Sequence, residues 1–261
     1  GDVDVHATGT VTADKLDIIG EAIGGIAVGI VIAHVKRTAT VNAGVGKNAV
    51  VRGRNVTVAA NNTVTGKVTG IAAGGGVFSG QGLDIRMEVD PTTSVLVDQG
   101  AQIAATQAVS VVSTSTATSS ADGQAGNYGG VVVIIGGSTS TLKNNNSATV
   151  GSNAVISGGS TVTVLANSSN TATATGDGGG GALVAVVRAD TTVNHTDRTS
   201  TSIGASASLT AGTDLSVEAR NYEKATSNPT ASAGGLGADT RTTGTLNFGA
   251  NTTTEIGASA Q

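Results

Sequence analysis

The fold class this sequence predicts is all-β, a right-handed parallel β-helix (β-solenoid), and three observations predict it. The chain says nearly the same thing five times, with copies starting at residues 1, 54, 107, 160 and 213, every gap being 53. Each copy opens on a stretch with an apolar or small residue at every second position, the mark of a strand with one face buried. The composition, finally, suits a narrow interior. There are 39 Gly, no Trp, no Cys, two Tyr and two Phe among 261 residues, so Val, Ile, Leu and Ala must line whatever core there is. Without large aromatics such a core stays thin and closely packed.

The opening strand of each copy supplies a core ladder: Val3 and Val5, then Val56 and Val58, Val109 and Val111, Val162 and Val164, and Leu215 and Val217. Asp4, Thr57, Ser110, Thr163 and Ser216 alternate with them and face outward. A Thr/Ala/Ser-rich run follows, then a glycine cluster: Gly24-Gly25, Gly74 to Gly76, Gly129-Gly130, Gly178 to Gly181, Gly234-Gly235. A landmark closes each copy, as in Val150-Gly151-Ser152-Asn153-Ala154 and Ile203-Gly204-Ala205-Ser206-Ala207. The first copy carries it one residue late, at Val45 to Ala49, so a compensating insertion and deletion lie there.

Four or five short strands per copy, separated by Gly, Asn and Asp turns, are economical only if the chain coils and stacks like residue over like. Right-handed parallel crossovers being the rule, the helix is expected to be right-handed. Coils of roughly 18–27 residues are usual in such folds, so about two coils per repeat are expected; ten coils at ~4.8 Å would make a rod of roughly 45–50 Å. The whole chain, 1–261, reads as one solenoid segment with repeats 1–53, 54–106, 107–159, 160–212 and 213–261. The last stops short of a full period and the first resembles the others, so the segment is expected to be uncapped at both ends, a slice from a longer solenoid.

The apolar run 23-IGGIAVGIVIAHV-35 is too short for a membrane span, and its counterpart in the second copy is the charged 83-LDIRMEVD-90. Both read as strands, so no membrane insertion is expected. A net charge of −4 gives no reason to expect nucleic acid as a partner.

Few residues invite chemistry. In 83-LDIRMEVD-90 the carboxylates Asp84, Glu88 and Asp90 share one face with Arg86, a candidate Ca²⁺ site beside the plainer reading of a solvated, ion-paired strand face. His6, His34 and His195 are expected to be exposed and too far apart to share a metal, the last two by roughly 30 Å on a two-coil rod. The loop 43-AGVGKNA-49 lacks the first glycine and the Ser/Thr of a phosphate-binding loop and reads as a turn. No nucleophile elbow is written, and no cofactor or catalytic residue is expected. Threonine runs such as 171-TATATGD-177 drift in register between copies, so they form outer polar ladders and not one flat array.

Taken together, 203-IGASASLTAGTDLSVEA-219 and 178-GGGGALVAVV-187 resemble the repeats of very large bacterial exoproteins, the filamentous-haemagglutinin-like and leukotoxin-like adhesins. The resemblance runs through all five copies and rests on compositional motifs. It implies export to the bacterial cell surface or medium by a type V or two-partner route, and a long β-helical shaft. Covalently continuous neighbouring repeats are then the first partners, with lateral or end-to-end homotypic assembly beyond them. The expected role is a rod module that extends a fibre or spaces an adhesive tip. The alternative is an adhesive surface whose outer Thr/Asn ladders hold a glycan, an abiotic surface or ice. The second copy, with its charged strand, departs most from the pattern and is expected to mark a lateral contact surface.

Overall fold

The computed structural model describes residues 1–12 and 15–261, and every regular element in it is a strand. Coil 1 comprises β1 (Val3–Thr12), β2 (Leu16–Ile23), β3 (Ile26–Val45) and the short β4 (Val50–Gly53). Coils 2, 3 and 4 each hold one long strand and one short one: β5 (Val56–Val97) with β6 (Gln102–Ala105), β7 (Val109–Val150) with β8 (Val155–Gly158), and β9 (Thr161–Ile203) with β10 (Ser208–Ala211). Coil 5 is β11 (Asp214–Gly234) and β12 (Gly237–Ile256). The long strands stack as parallel neighbours in the order β1-β5-β7-β9-β11, and the short ones form a second parallel sheet, β10-β8-β6-β4. The chain is a parallel β-solenoid.

The register corrects the expected coil count. Val56 pairs with Val109, and Val109 with Val162, so each residue lies beside the one 53 positions on. One repeat is therefore one coil, not two. Inside each long strand the chain runs outward, bends at the glycine cluster and comes back, and these two limbs face each other across the core. Ser115 Oγ donates to Asn144 Oδ1 at 2.7 Å and Ser140 Oγ to Ser119 Oγ at 2.8 Å, residues equidistant from the bend. Two coils per repeat would need the return limb to stack on the outgoing one, like over like. The sequence matches itself only at 53, so facing is the arrangement it allows. In coils 2 to 4 the four or five expected short strands are likewise one long and one short.

The result is a flat blade and not a slender rod. Each limb of about 20 residues is ~65 Å wide, the five coils span only ~19 Å along the stack, and the two faces lie ~10 Å apart. In coil 1 the pairing offset is 53 from Val3 to Thr12 and 52 from Leu16 to Gly53.

Alternation fills the interior. Val56, Val58, Val109, Val111, Val162 and Val164 are buried, while Val3, Val5 and Val217 in the end coils are half-buried and Leu215 is 46% exposed. All of these but Leu215 belong to an apolar cluster at the corner, where the short strands contribute Ile103 and Ile156. A second cluster lies toward the bend, around Val68, Ile85, Met87, Ile134 and Val187. Each buried Val or Ile contributes about 1.5–3 kcal/mol of transfer free energy. Glycine on one limb makes room for bulk on the other: a methyl at Gly66 would sit 1.8 Å from Met87 Cε, and one at Gly70 2.1 Å from Ile85 Cδ1.

The landmark is a turn stacked on itself. Asn48, Gly100, Asn153, Ser206 and Ser259 occupy one column, all with φ between 56° and 67°. In all five coils the next residue closes a four-residue turn, as with Ala101 N–H to Asp98 O at 3.1 Å. Turn also bonds to turn, Asn153 N–H donating to Ala205 O at 3.0 Å. Among the described residues no helix is long and apolar enough to cross a membrane, and 23–35 lies in β2, β3 and the bend between them.

Candidate functional site

Two polar constellations stand out, one on the outer face of the return limb and one inside the blade. The outer one is built on β5. Alternation turns Leu83, Ile85, Met87 and Val89 inward, all buried, and leaves Asp84, Arg86, Glu88 and Asp90 on the outside. Stacking then brings cations from the neighbouring coils. Arg86 grips Asp84 with two bonds, Nε to Oδ1 at 2.9 Å and Nη2 to Oδ2 at 2.8 Å, and His34 Nε2 lies 3.3 Å from Oδ2. Lys36 of coil 1 donates to Glu88 at 3.0 Å and lies 3.8 Å from Asp90, while Lys143 of coil 3 reaches Glu88 at 3.3 Å.

These pairings set the protonation. Partial burial pushes the Asp84 carboxyl up, but the bonds from Arg86 and His34 outweigh it and hold the group below its usual value. The Lys36 bond, against some burial and with help from Lys143, lowers Glu88, and the same bond raises Lys36. The strip borders an open groove of about 400 Å³ lined also by Thr139, Thr141 and Asn194. For the Ca²⁺ candidates Asp84, Glu88 and Asp90 the geometry is spread out: outward residues two apart on a strand lie ~6.6 Å from each other, whereas Ca²⁺ takes oxygens at about 2.3–2.6 Å. Each carboxylate already faces a cation. Among the described residues no group of three or more His, Asp or Glu stands where it could hold a metal ion.

The inner constellation lies between the two apolar clusters, at positions that share the inward phase of the valine ladder. Asn144 Nδ2 donates to Asp197 Oδ1 at 2.7 Å and to Ser168 Oγ at 3.0 Å. Thr199 Oγ1 donates to Asp197 Oδ2 at 2.8 Å, and Asn146 Nδ2 to the Asn167 carbonyl at 2.8 Å. Ser113, Ser115, Asn144, Asn146, Ser168 and Thr199 are all buried, a polar belt across coils 3 and 4. Buried polar groups in a narrow interior cost stability unless bonded to one another, and here most of the belt is.

At the coil 4–coil 5 junction the belt becomes ionisable. His195 Nε2 lies 3.5 Å from Glu223 Oε2, and the imidazole packs on Phe248 with ring centroids 5.1 Å apart. Burial pushes Asp197 up to about 6, opposed by the Thr199 and Asn144 bonds and reinforced by Glu223. Burial lowers His195, with the charge of Asp197 working against it.

The expectation that all three histidines are exposed is corrected here. His6 and His34 are about half exposed, but His195 is buried, because its position 53 residues beyond Leu142 is a core column. With one coil per repeat, His34 and His195 are three coils apart, ~14 Å along the stack and not 30 Å, and they stand in different columns. Segment 43–49 is the landmark turn, with the Ala49 N–H bonded to the Gly46 carbonyl at 3.1 Å. The inner belt was missed by reading Ser and Asn as outer residues; the parity of Ser113 and Ser115 with Val109 and Val111 is the signal that locates it.

Comparison with known protein families, with characterised proteins and with solved structures finds no match to this chain.

Proposed function

We propose that the chain is a structural module of a long secreted or cell-surface bacterial filamentous adhesin, of the filamentous-haemagglutinin-like or leukotoxin-like kind. It extends a fibre or spaces an adhesive tip, and it acts mechanically, without a catalytic role. One observation carries the reading: a single offset of 53 residues runs through the core pairing of β5, β7, β9, β11 and β12. A construction in which every coil offers the next the same hydrogen-bonding edge lengthens by repetition, and its backbone ladder loads all coils together. Covalently adjoining repeats are its immediate partners in this reading.

Immunogold electron microscopy of producing cells, with antibody against this segment, tests it. Label strung along fibres, or at a fixed distance from the cell surface, is the expected result. Soluble, fibre-free antigen would sink the proposal.

A second reading is favoured by one feature of the groove. Asn247 Nδ2 donates to Asn194 Oδ1 at 2.8 Å and Asn194 reaches Thr141 at 3.4 Å, a polar ladder crossing coils 3 to 5 beside the charged strip. Such a ladder offers repeated donors and acceptors to a glycan or a hydrated surface. Label confined to fibre tips or contact zones, with adhesion lost in Asn194→Ala and Thr141→Val variants, would favour it over the spacer.

A further inference from the structure

Next to the bend, the return limb is apolar on both faces. In coil 1 the inward Ala27, Val31 and Ala33 are buried, yet the outward Ile26, Val28, Ile30 and Ile32 are apolar too and 62–80% exposed. A strand that is hydrophobic on both sides is the pattern of one covered on both sides. Stacking continues the patch onto Phe78 in coil 2, 55% exposed, and onto Val133 and Ile135 in coil 3, 40% and 53% exposed. With Val184 of coil 4 these side chains expose on the order of 800 Å², the share of one partner in a standard-size interface.

The relief of the patch is as informative as its area. Between the ridges of coils 1 and 3, coil 2 presents Gly80 and Gly82, a furrow. The coil itself does not require these glycines. A methyl at Gly80 would meet nothing nearer than 3.9 Å, and one at Gly82 nothing nearer than 3.5 Å. Neither has positive φ. Glycine weakens a strand interior and often marks close approach by another backbone or ligand.

We propose that this face is the interface between two copies of the chain, packed face to face about a twofold axis that runs parallel to the strands between coils 2 and 3. That axis sets coil 3 of one copy against coil 2 of the other while keeping position along the strand. Val133 then enters the hollow at Gly80, and Ile135 the hollow at Gly82, each column matching because these residues are already sheet partners within one chain. Asp84 meets the open surface at Gly137 by the same rule. The coil 1 ridge lies against coil 4, where Ile26 meets Val184 and Val28 meets Val186, with Ile30 and Ile32 over Arg188 and Asp190 at the edge of the apolar contact. Across coils 2 and 3 ridge and furrow exchange under one rotation, which is what an isologous dimer needs at its centre. The inference does not rest on the filament reading.

Sedimentation equilibrium on the whole chain tests it, with circular dichroism as the control for folding. The native protein is expected to be a dimer at micromolar concentration. Gly80→Val/Gly82→Val fills the furrow with good strand formers and adds apolar surface, and is expected to weaken the dimer at least tenfold. Ile26→Asp, on the exposed ridge position that faces Val184, is expected to do the same, while Tyr222→Asp on the opposite limb leaves the dimer intact. A native monomer at 100 μM would overturn the proposal, whether or not it floats with phosphatidylcholine vesicles. So would a furrow-filled variant that associates as well as or better than native, the mark of unspecific stickiness. Open-ended polymers indifferent to both face variants would overturn it too, by assigning association to the strand edges of coils 1 and 5.

Discussion

A carboxylate in a dry interior is held by what surrounds it, and Asp197 is surrounded by two donors and a second acid. Its pKa of about 6 lies above the ~3.9 of an unfolded aspartate, so the folded state binds its proton more tightly. The stability this group contributes is full below pH ~4 and is lost as pH rises through about 6. His195, lowered by burial, runs the opposite way and costs stability as pH falls below its unfolded value of ~6.5. Asp197→Asn removes the first dependence and leaves the second. Urea titrations should find the variant more stable than native protein at pH 8, with the gain fading toward pH 4. A gain independent of pH would assign Asp197 no titration on folding. At the landmark turn, Ser206 and Ser259 hold a left-handed conformation that glycine and asparagine adopt more readily. Replacing Ser206 with Asn, the residue found one coil below at 153, should raise the unfolding free energy by about 0.5–1 kcal/mol in the same titration.

At the scale of the element, the alternating pattern was legible at once and the fate of each limb was not. Period two tells which residues share a face, and Val56, Val58, Val109 and Val111 lie inward together. It does not tell which limb lies opposite, because cross-core neighbours such as Gly66 and Met87 are matched by volume and not by residue type. That is why the expected coil count rested on the usual coil length of roughly 18–27 residues, and the glycine cluster was not seen to be the bend of a single coil. The volume match is testable. Met87→Ala should cost about 2–5 kcal/mol by opening a cavity. Gly66→Ala alone should also destabilise, since its methyl collides with the methionine tip. Combined, the two should cost less than their sum by about 1 kcal/mol, whereas strict additivity would mean that the limbs do not touch there. The inner belt was hidden for a related reason: Ser113 and Asn146 are polar by composition, and only a partner across a narrow core makes the inward position tolerable for both.

For the whole molecule, the fold class and the 53-residue unit were readable from five aligned copies, whereas the proportions were not. Halving the number of coils turns a rod of roughly 45–50 Å into a blade ~65 Å across and ~19 Å tall. Small-angle scattering separates the two shapes in solution: the widest dimension should be near 70 Å for a single blade, lying across the stack. A maximum near 50 Å would restore the two-coil arrangement. The exposed ion pairs of the charged strip add little at this scale, since pairs of that kind contribute about 0–1 kcal/mol; the stack is held by its ladders and its thin apolar layers.

One coil per repeat also fixes how such a stack would respond to force. Each 53-residue turn adds only ~4.8 Å of height, so length is gained at more than ten residues per ångström. The cross-section acquired in exchange is some six times wider than it is thick. A strip with those proportions resists bending in the plane of its broad faces far more than out of it, as a ruler does. Any fibre made this way would yield in one direction and hold its line in the other.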